Sequence, residues 1–561
     1  MKKIVIVTIL IQLSLARFPD AVGYNGAVVS SNEYATKVGI EILENGGNAV
    51  DAAIAVGFSL AVVHPGAGNI GGGGFMVIRT AEGNVTTIDF RETAPSLAHR
   101  DMFLDDKNEI IPGKSWNTSS ASGVPGSVAG FDLAHRKFGT VSWKSLIKPA
   151  VRLAKKGFKL DRLNTMYLNS DYYKNFLGKD DITKTIFTKN GEYKVGELLI
   201  QRDLGNTLSR IAKKGAKEFY TGKTADMIVS CMQRTNGLIS YKDLANYRAV
   251  EREPISFNYR EYTIHSMPPA SSGGIAVASI LNQLENYNFS NTEYHSAKHI
   301  HLVSEAERRA YADRAEYIGD TDFISVPVEK LIMQHYANKR WETINLDKAS
   351  RSDDVSHGDA KIHFDGETEE TTHYSVMDKY GNAVSVTTTI NGWFGNGITV
   401  DGAGFLLNNE MDDFSSKPGV PNAYGLIGGE ANAIEPNKRM LSSMTPTIVE
   451  TPEGDLLLVI GSPGGSTIIT TVVQVIMNVI DFGMNIEQSI EAPRFHHQWL
   501  PDIIQFESNG FSYETKQALS EMGHEFKIRN SIGEANCIMK LNNGLIEASG
   551  DSRRGASALA Y

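Results

Sequence analysis

Two cysteines, Cys231 and Cys537, are all that the 561 residues contain. They carry no metal-ligand spacing and no disulfide framework, and isolated cysteines are most often buried and free. No long basic run exists and the formal net charge is −10, which sets nucleic acid aside as a partner. Beyond the N-terminus no stretch approaches about 18 uninterrupted apolar residues, so no membrane span is expected in the mature chain. The G-x-S-x-G elbow of α/β-hydrolase serine enzymes is missing. So is H-E-x-x-H: His295, His299 and His301 could face one another on a helix, but Ser296 stands where the glutamate is needed. His496-His497 has no cysteine or acidic ligand cluster nearby. Neither a metal nor a cofactor is expected.

What is present describes a well-cored enzyme. Hydrophobic residues make up 41% of the chain, and 52 glycines imply many tight turns. Lys2-Lys3, an apolar Ile4–Leu15 and the small-x-small Ser14-Leu15-Ala16 form a removable secretion signal over residues 1–16, the alternative being an uncleaved anchor. The protein is therefore expected to be periplasmic or secreted.

Hydrophobic patterning then gives the elements. A helix opens at Ser31-Asn32 and stops at Gly46-Gly47, and a second, buried one begins at Asn48 with Asp51 three places on. Gly73–Ile78 and Val85–Phe90 read as a hairpin with Arg91 at its exit. Residues from about 130 to 350 look mainly helical. From Thr371 strands return, and a helix over 467–482 follows the strand Leu456–Ile460. Such a mixture suggests stacked sheets covered by helices. Gly66-Ala67-Gly68-Asn69-Ile70-Gly71 matches a dinucleotide fingerprint in letters only, because a helix precedes it and a strand follows. A glycine-rich turn packed close to a sheet or an active site fits better.

Thr371-Thr372-His373-Tyr374-Ser375 follows a polar stretch ending in Glu369-Glu370, and the strands 374–378 and 383–390 flank a turn at 378–382. A Thr-Thr pair opening a strand has the ordinary explanation of β-propensity. The alternative is a latent nucleophile whose base is its own α-amine, released by a cut before Thr371. Gly461-Ser462-Pro463-Gly464-Gly465-Ser466, between a buried strand and a helix, is either a tight connection or a cluster of free N–H groups able to hold an oxyanion. Arg91 could clamp a carboxylate, Asp412-Asp413 an ammonium, and Ser442-Ser443 could donate hydroxyls. Each alone reads more readily as a solvated or structural residue than as part of a site.

Seven blocks in order resemble the γ-glutamyltransferase family of N-terminal-nucleophile hydrolases. They are His64–Met76, Asp89-Phe90-Arg91-Glu92, Ser122–Gly126, Thr371–Ser375, Asn408–Phe414, Leu441–Pro446 and Gly461–Gly465. The resemblance, from about residue 25 onward, implies an α+β fold, a four-layer αββα sandwich shared by two autoproteolytic subunits, 17–370 and 371–561. It implies Thr371 as nucleophile in self-cleavage and turnover, Thr389 orienting it, and Gly464 and Gly465 as the oxyanion hole. Arg91, Ser442 and Ser443 would hold the substrate α-carboxylate, and Asn391, Glu410 and Asp413 its α-ammonium. The loop 417–440, with Tyr424 at its tip, would be a lid. The implied reaction is ping-pong transfer of a γ-glutamyl group from glutathione or a related compound to water, an amino acid or a dipeptide. Glu410 stands where some bacterial members carry Gln. A glutaryl-type β-lactam acylase is the nearest competing reading, and a non-catalytic binding protein of the same fold the other.

Overall fold

Asn48 and Asp51 begin the most deeply buried helix, Ala49–Val63. The Asn48 side chain accepts from Asp51 N while the Asp51 carboxylate accepts from Asn48 N, a reciprocal cap. Every residue of that helix is buried, because a sheet covers one side and the helices Glu33–Glu44 and Trp143–Lys156 pack on the rest. The computed structural model describes residues 18–356, 371–508 and 510–561. The expected secretion signal, 1–16, and Glu370 lie outside the described residues.

Among the described residues the chain forms two seven-stranded antiparallel sheets. One runs in the order Ser557–Ala560, Ala27–Ser30, Thr372–Met377, Ala383–Thr389, Gly73–Arg79, Val85–Asp89 and Val250–Arg252. The other runs Ala21–Gly23, Ile546–Gly550, Asn536–Lys540, Leu456–Ile460, Thr447–Glu450, Tyr262–Ser266 and Ile255–Tyr259. Strand alternation assigns each residue to a face. In Thr372–Met377, Tyr374 and Val376 join the core beneath Ala49–Val63, while Met377 joins Ala27, Val77, Ile448 and Val459 between the sheets. The outer face of the second sheet is covered by Gly273–Leu284, Ala297–Tyr317 and Thr467–Ile480. Helix, sheet, sheet and helix make four layers, the α+β sandwich expected.

The layer between the sheets is apolar at one end and polar at the other. His373 hydrogen-bonds Thr387 Oγ1 (2.9 Å) and Ser375 Oγ (3.1 Å), and Ser375 Oγ donates to Asn536 O (2.9 Å). Ser385 Oγ donates to Ile460 O (2.8 Å). Burial pushes the His373 imidazole down to about 3, so it is a neutral structural bridge. Ser375 and Ser385, which make the bonds between the sheets, lie on the hairpin that follows Thr371.

One element differs from the sequence expectation. The stretch 130–350 is not helical throughout: Ile255–Tyr259 and Tyr262–Ser266 form a hairpin at the edge of the second sheet. No helix among the described residues is long and apolar enough to cross a membrane. Cys231 and Cys537 are both free and buried.

Candidate active site

Register brings the two threonines together. Thr372 pairs with Thr388 and Met377 with Ala383 in the hairpin, so one step outward Thr371 stands opposite Thr389. Thr389 Oγ1 accepts from Asn391 N (2.7 Å), and both threonines line one pocket. Asn69, in the glycine-rich turn, fixes the end of this strand. Its Nδ2 donates to Thr389 O (2.9 Å) and Thr388 Oγ1 (3.1 Å), and its Oδ1 accepts from Gly72 N and Ser127 Oγ. A Cβ on Gly72 would lie 2.1 Å from Thr389 O, which is why only glycine fits there. The turn is thus a close-packing device beside the site, as its helix-before-strand order implied.

The strand Leu456–Ile460 delivers the second component. After it, Gly464 (φ 135°) and Gly465 (φ 53°) adopt backbone that other residues rarely take, and the helix Thr467–Ile480 starts at once. Thr467 N and Ile468 N already bond Gly464 O and Gly465 O. Among the described residues the N–H groups of Gly464 and Gly465 have no acceptor, the condition required of an oxyanion hole. Gly465 lines the pocket and Gly464 does not. Tyr311 OH donates to Ser466 O (2.5 Å) and steadies the turn.

Opposite these lies a buried charge cluster. Arg91 Nη1 donates to Glu410 Oε2 (2.6 Å), Nη2 donates to Asp413, Nε donates to Met440 O (3.2 Å), and Glu92 lies 3.6 Å away. Burial works against the Arg91 cation, but the three carboxylates outweigh it and raise its pKa. Burial also raises the carboxyl groups: Glu92 to about 8, Glu410 well above the ordinary range, and Asp413 upward against the opposing pull of Arg91. Glu410 Oε1 is buried without a hydrogen-bond partner. A donor from a ligand would satisfy it.

Of the residues that the family resemblance placed in the site, all but Gly464 line this pocket. Arg91, Thr371, Thr389, Asn391, Glu410, Asp413, Tyr424, Ser442, Ser443 and Gly465 converge there from both sheets and from the segment 417–440. The Asp412-Asp413 pair divides. Asp412 turns away, accepting from Ser115 Oγ (2.6 Å) and Ala423 N (3.1 Å), and burial raises it to about 6. Tyr424 OH donates to Asn391 Oδ1, and Trp116 meets the Tyr424 ring edge-on at 6.1 Å. Sequence reasoning missed Arg314. It projects from Ala297–Tyr317 into the pocket, donating to Ser272 Oγ (2.9 Å) and Ser443 Oγ (3.2 Å). No motif marks it, since it is one basic residue among several on a long helix.

The histidines are structural. His295 stacks on His299 (5.9 Å) outside the pocket. His301, His524 and Glu305 bring potential ligand atoms within 4.8 Å of one another. Glu305 is saturated there by Arg308, Arg309 and Ser350, and His301 Nδ1 hydrogen-bonds His524 Nε2 (2.8 Å). Two guanidiniums beside that carboxylate leave a cation poorly accommodated.

A family model described as gamma-glutamyltranspeptidase matches residues 35–561. The chain belongs to that family. It is 49% identical to the glutathione hydrolase proenzyme of Escherichia coli (strain K12) over 94% of this chain and 90% of the relative. It is 44% identical to the glutathione hydrolase proenzyme of Pseudomonas aeruginosa over 94% and 93%. The gamma-glutamyltranspeptidase structure from Helicobacter pylori superposes with a TM-score of 0.57 at 44% identity, covering 60% of this chain and 97% of that one. A cephalosporin acylase from Bacillus halodurans gives a TM-score of 0.83 at 26% identity, covering 97% of each. This γ-glutamyltranspeptidase family member thus has its fold in common with an acylase, and the pocket must decide the substrate.

Proposed function

We infer that the chain is a glutathione hydrolase and γ-glutamyltransferase that matures by cutting itself between Glu370 and Thr371. The observation that carries this is the buried, unpartnered Glu410 Oε1 beside Asp413, in the same pocket as Thr371 and the glycine turn. An α-ammonium supplies the hydrogen-bond donor that oxygen lacks, and an acyl group without an amine, such as glutaryl, does not. The relatives' description as proenzymes supports the cut.

In this reading Thr371 Oγ attacks the γ-carbonyl carbon of the donor. The freed Thr371 amine, with an ordinary pKa near 8, takes the hydroxyl proton and returns it to the leaving amine, Cys-Gly for glutathione. The tetrahedral oxyanion is held by Gly464 and Gly465 N–H and collapses to a γ-glutamyl-threonine ester as the C–N bond breaks. Water, or the amine of an amino acid or dipeptide, then attacks that ester, and Thr371 Oγ leaves with a proton. Thr389 orients the nucleophile. Asn391, Glu410 and Asp413 hold the α-ammonium, and Arg91, Ser442 and Ser443 the α-carboxylate. Residues 17–370 and 371–561 stay together as large and small subunits of an exported, periplasmic or secreted enzyme.

A denaturing gel tests the maturation. The 191 residues from Thr371 form about 21 kDa of the 61.4 kDa precursor, and 17–370 about 39 kDa. Purified protein should show those two bands, and Thr371→Ala one uncut chain inactive on γ-glutamyl-p-nitroanilide. An active Thr371→Ala, or an uncut active wild type, rules the mechanism out.

A further inference from the structure

His496-His497-Gln498 has no part in the chemistry, yet it lies against the lid. Gln498 is 6% exposed, and its Nε2 faces only carbonyl oxygens: Gly425 O at 3.1 Å, Leu500 O at 3.3 Å and Tyr424 O at 3.4 Å. Three acceptors on one side fix which end of the carboxamide is nitrogen. Gln498 Oε1 must therefore accept from His496 Nε2–H, 2.8 Å away. That sets the tautomer and leaves His496 Nδ1 an acceptor 2.9 Å from Thr470 Oγ1, whose hydroxyl also lies 3.1 Å from Thr467 O. Burial keeps this imidazole neutral, which the arrangement requires, since an imidazolium could not accept at Nδ1.

From His496 onward the direction of the bonds is thereby determined: His496 to Gln498, and Gln498 to the backbone of Tyr424 and Gly425. The two ends of this chain of bonds adjoin the active site. Thr470 sits in the first turn of Thr467–Ile480, directly after the Gly464-Gly465 turn. Tyr311, which holds Ser466 O, also packs edge-on against the His496 ring (5.8 Å, 85°). At the far end, Tyr424 closes over Asn391. Gly425, with φ 68°, is where the lid backbone reverses and offers its carbonyl to Gln498.

We propose that Gln498 is a positioning residue, a latch that holds the Tyr424 lid closed in register with the helix bearing the oxyanion turn, and that His496 and Thr470 aim it. It touches neither substrate nor nucleophile. It acts by keeping Tyr424 over the pocket, so its loss weakens retention of the donor before it affects bond breaking. The proposal rests on the pocket being the γ-glutamyl donor site.

The test uses mature Gln498→Met, which keeps the volume and removes donor and acceptor, and Gln498→Glu, which removes only the donor. Amide hydrogen exchange over 418–428 should quicken roughly tenfold in both while 470–480 is unchanged, as expected when a local closure is weakened by one or two hydrogen bonds. KM for γ-glutamyl-p-nitroanilide should rise about five- to tenfold with kcat within about twofold. Unchanged lid exchange, or a fall in kcat at constant KM, overturns the latch. If either substitution blocks self-cleavage, Thr470→Val, which removes only the far hydroxyl, should still quicken lid exchange about threefold; an unchanged rate there overturns it equally. The exchange measurement needs no turnover, so an error in the donor assignment would leave it standing and show only in the kinetics.

Discussion

Arg91 and Arg314 are both guanidiniums in one small pocket, but their surroundings differ. Arg91 is spread over Glu410, Asp413 and Met440 O, with Glu92 close behind. Arg314 donates to two hydroxyls, and burial lowers its pKa, so a bound carboxylate would relieve its desolvation. The α-carboxylate is therefore predicted to draw on Arg314 through Ser443 as well as on Arg91. Arg314→Leu should lower kcat/KM for γ-glutamyl-p-nitroanilide by roughly 10- to 100-fold, the scale of one hydrogen bond to a charged group. The same substitution should change little for the γ-aminobutyryl anilide, which lacks that carboxylate; steady-state kinetics on the pair checks this. An equal loss on both donors would mean that Arg314 only supports the fold. At this scale the sequence was informative where a residue sits in a motif. Asp413 stood in such a block, yet nothing in Asp412-Asp413 said that one carboxylate would enter the pocket and its neighbour would bond Ser115. That division depends on how the short helical turn Glu410–Asp413 is rotated.

The element that tolerates least is the strand-to-helix turn. Gly465 has φ 53°, and a Cβ there would fall 2.7 Å from the Tyr424 ring. Gly465→Ala is thus both strained and in collision with Tyr424. Removing one oxyanion donor costs about 100- to 1,000-fold in kcat, and a displaced N–H should approach that loss. Single-turnover acylation measures it, and a loss below tenfold would show that the Gly465 N–H does not face the oxyanion. The helix Ala297–Tyr317 and the hairpin that positions Thr371 were legible from periodicity and from the Asp378–Asn382 turn. The edge hairpin Ile255–Ser266 was not. Its turn residues Arg260 and Glu261 have φ 49° and 73°, a conformation ordinarily announced by Asn-Gly. Arg260 accepts it because its side chain is anchored on Glu285, Asp481, Leu284 O and Tyr287 O, partners distant in sequence.

Over the whole molecule, acidity is linked to stability through buried carboxyl groups. Glu534, beneath the strand of Thr371, is pushed up to about 7 by burial against the opposing pull of Arg554. A carboxyl whose folded pKa is raised favours its neutral form in the fold. Its contribution is greatest below about pH 4.5, declines as pH rises to about 7, and is level beyond. The decline is on the order of 3 kcal/mol. Thermal melts from pH 5 to 8 should therefore show a falling midpoint, and a shallower fall in Glu534→Gln; equal slopes would exclude the group. The four-layer architecture itself followed from family resemblance more than from pattern. Strand order cannot be read from periodicity when neighbours in the sheet, such as Ala27–Ser30 and Thr372–Met377, lie more than 300 residues apart.

That strand order determines what a cut before Thr371 can do. In the first sheet the strands belong in turn to the later part, the earlier part, twice to the later and three times to the earlier; in the second, four later strands lie between earlier ones. The two products are interdigitated rather than docked. Neither holds either seven-stranded sheet complete, and no plane separates them without breaking backbone ladders in both of those sheets. Maturation therefore creates a new chain terminus without creating an interface that dilution could dissociate: the heterodimer remains, mechanically, one domain with a gap in its covalent thread.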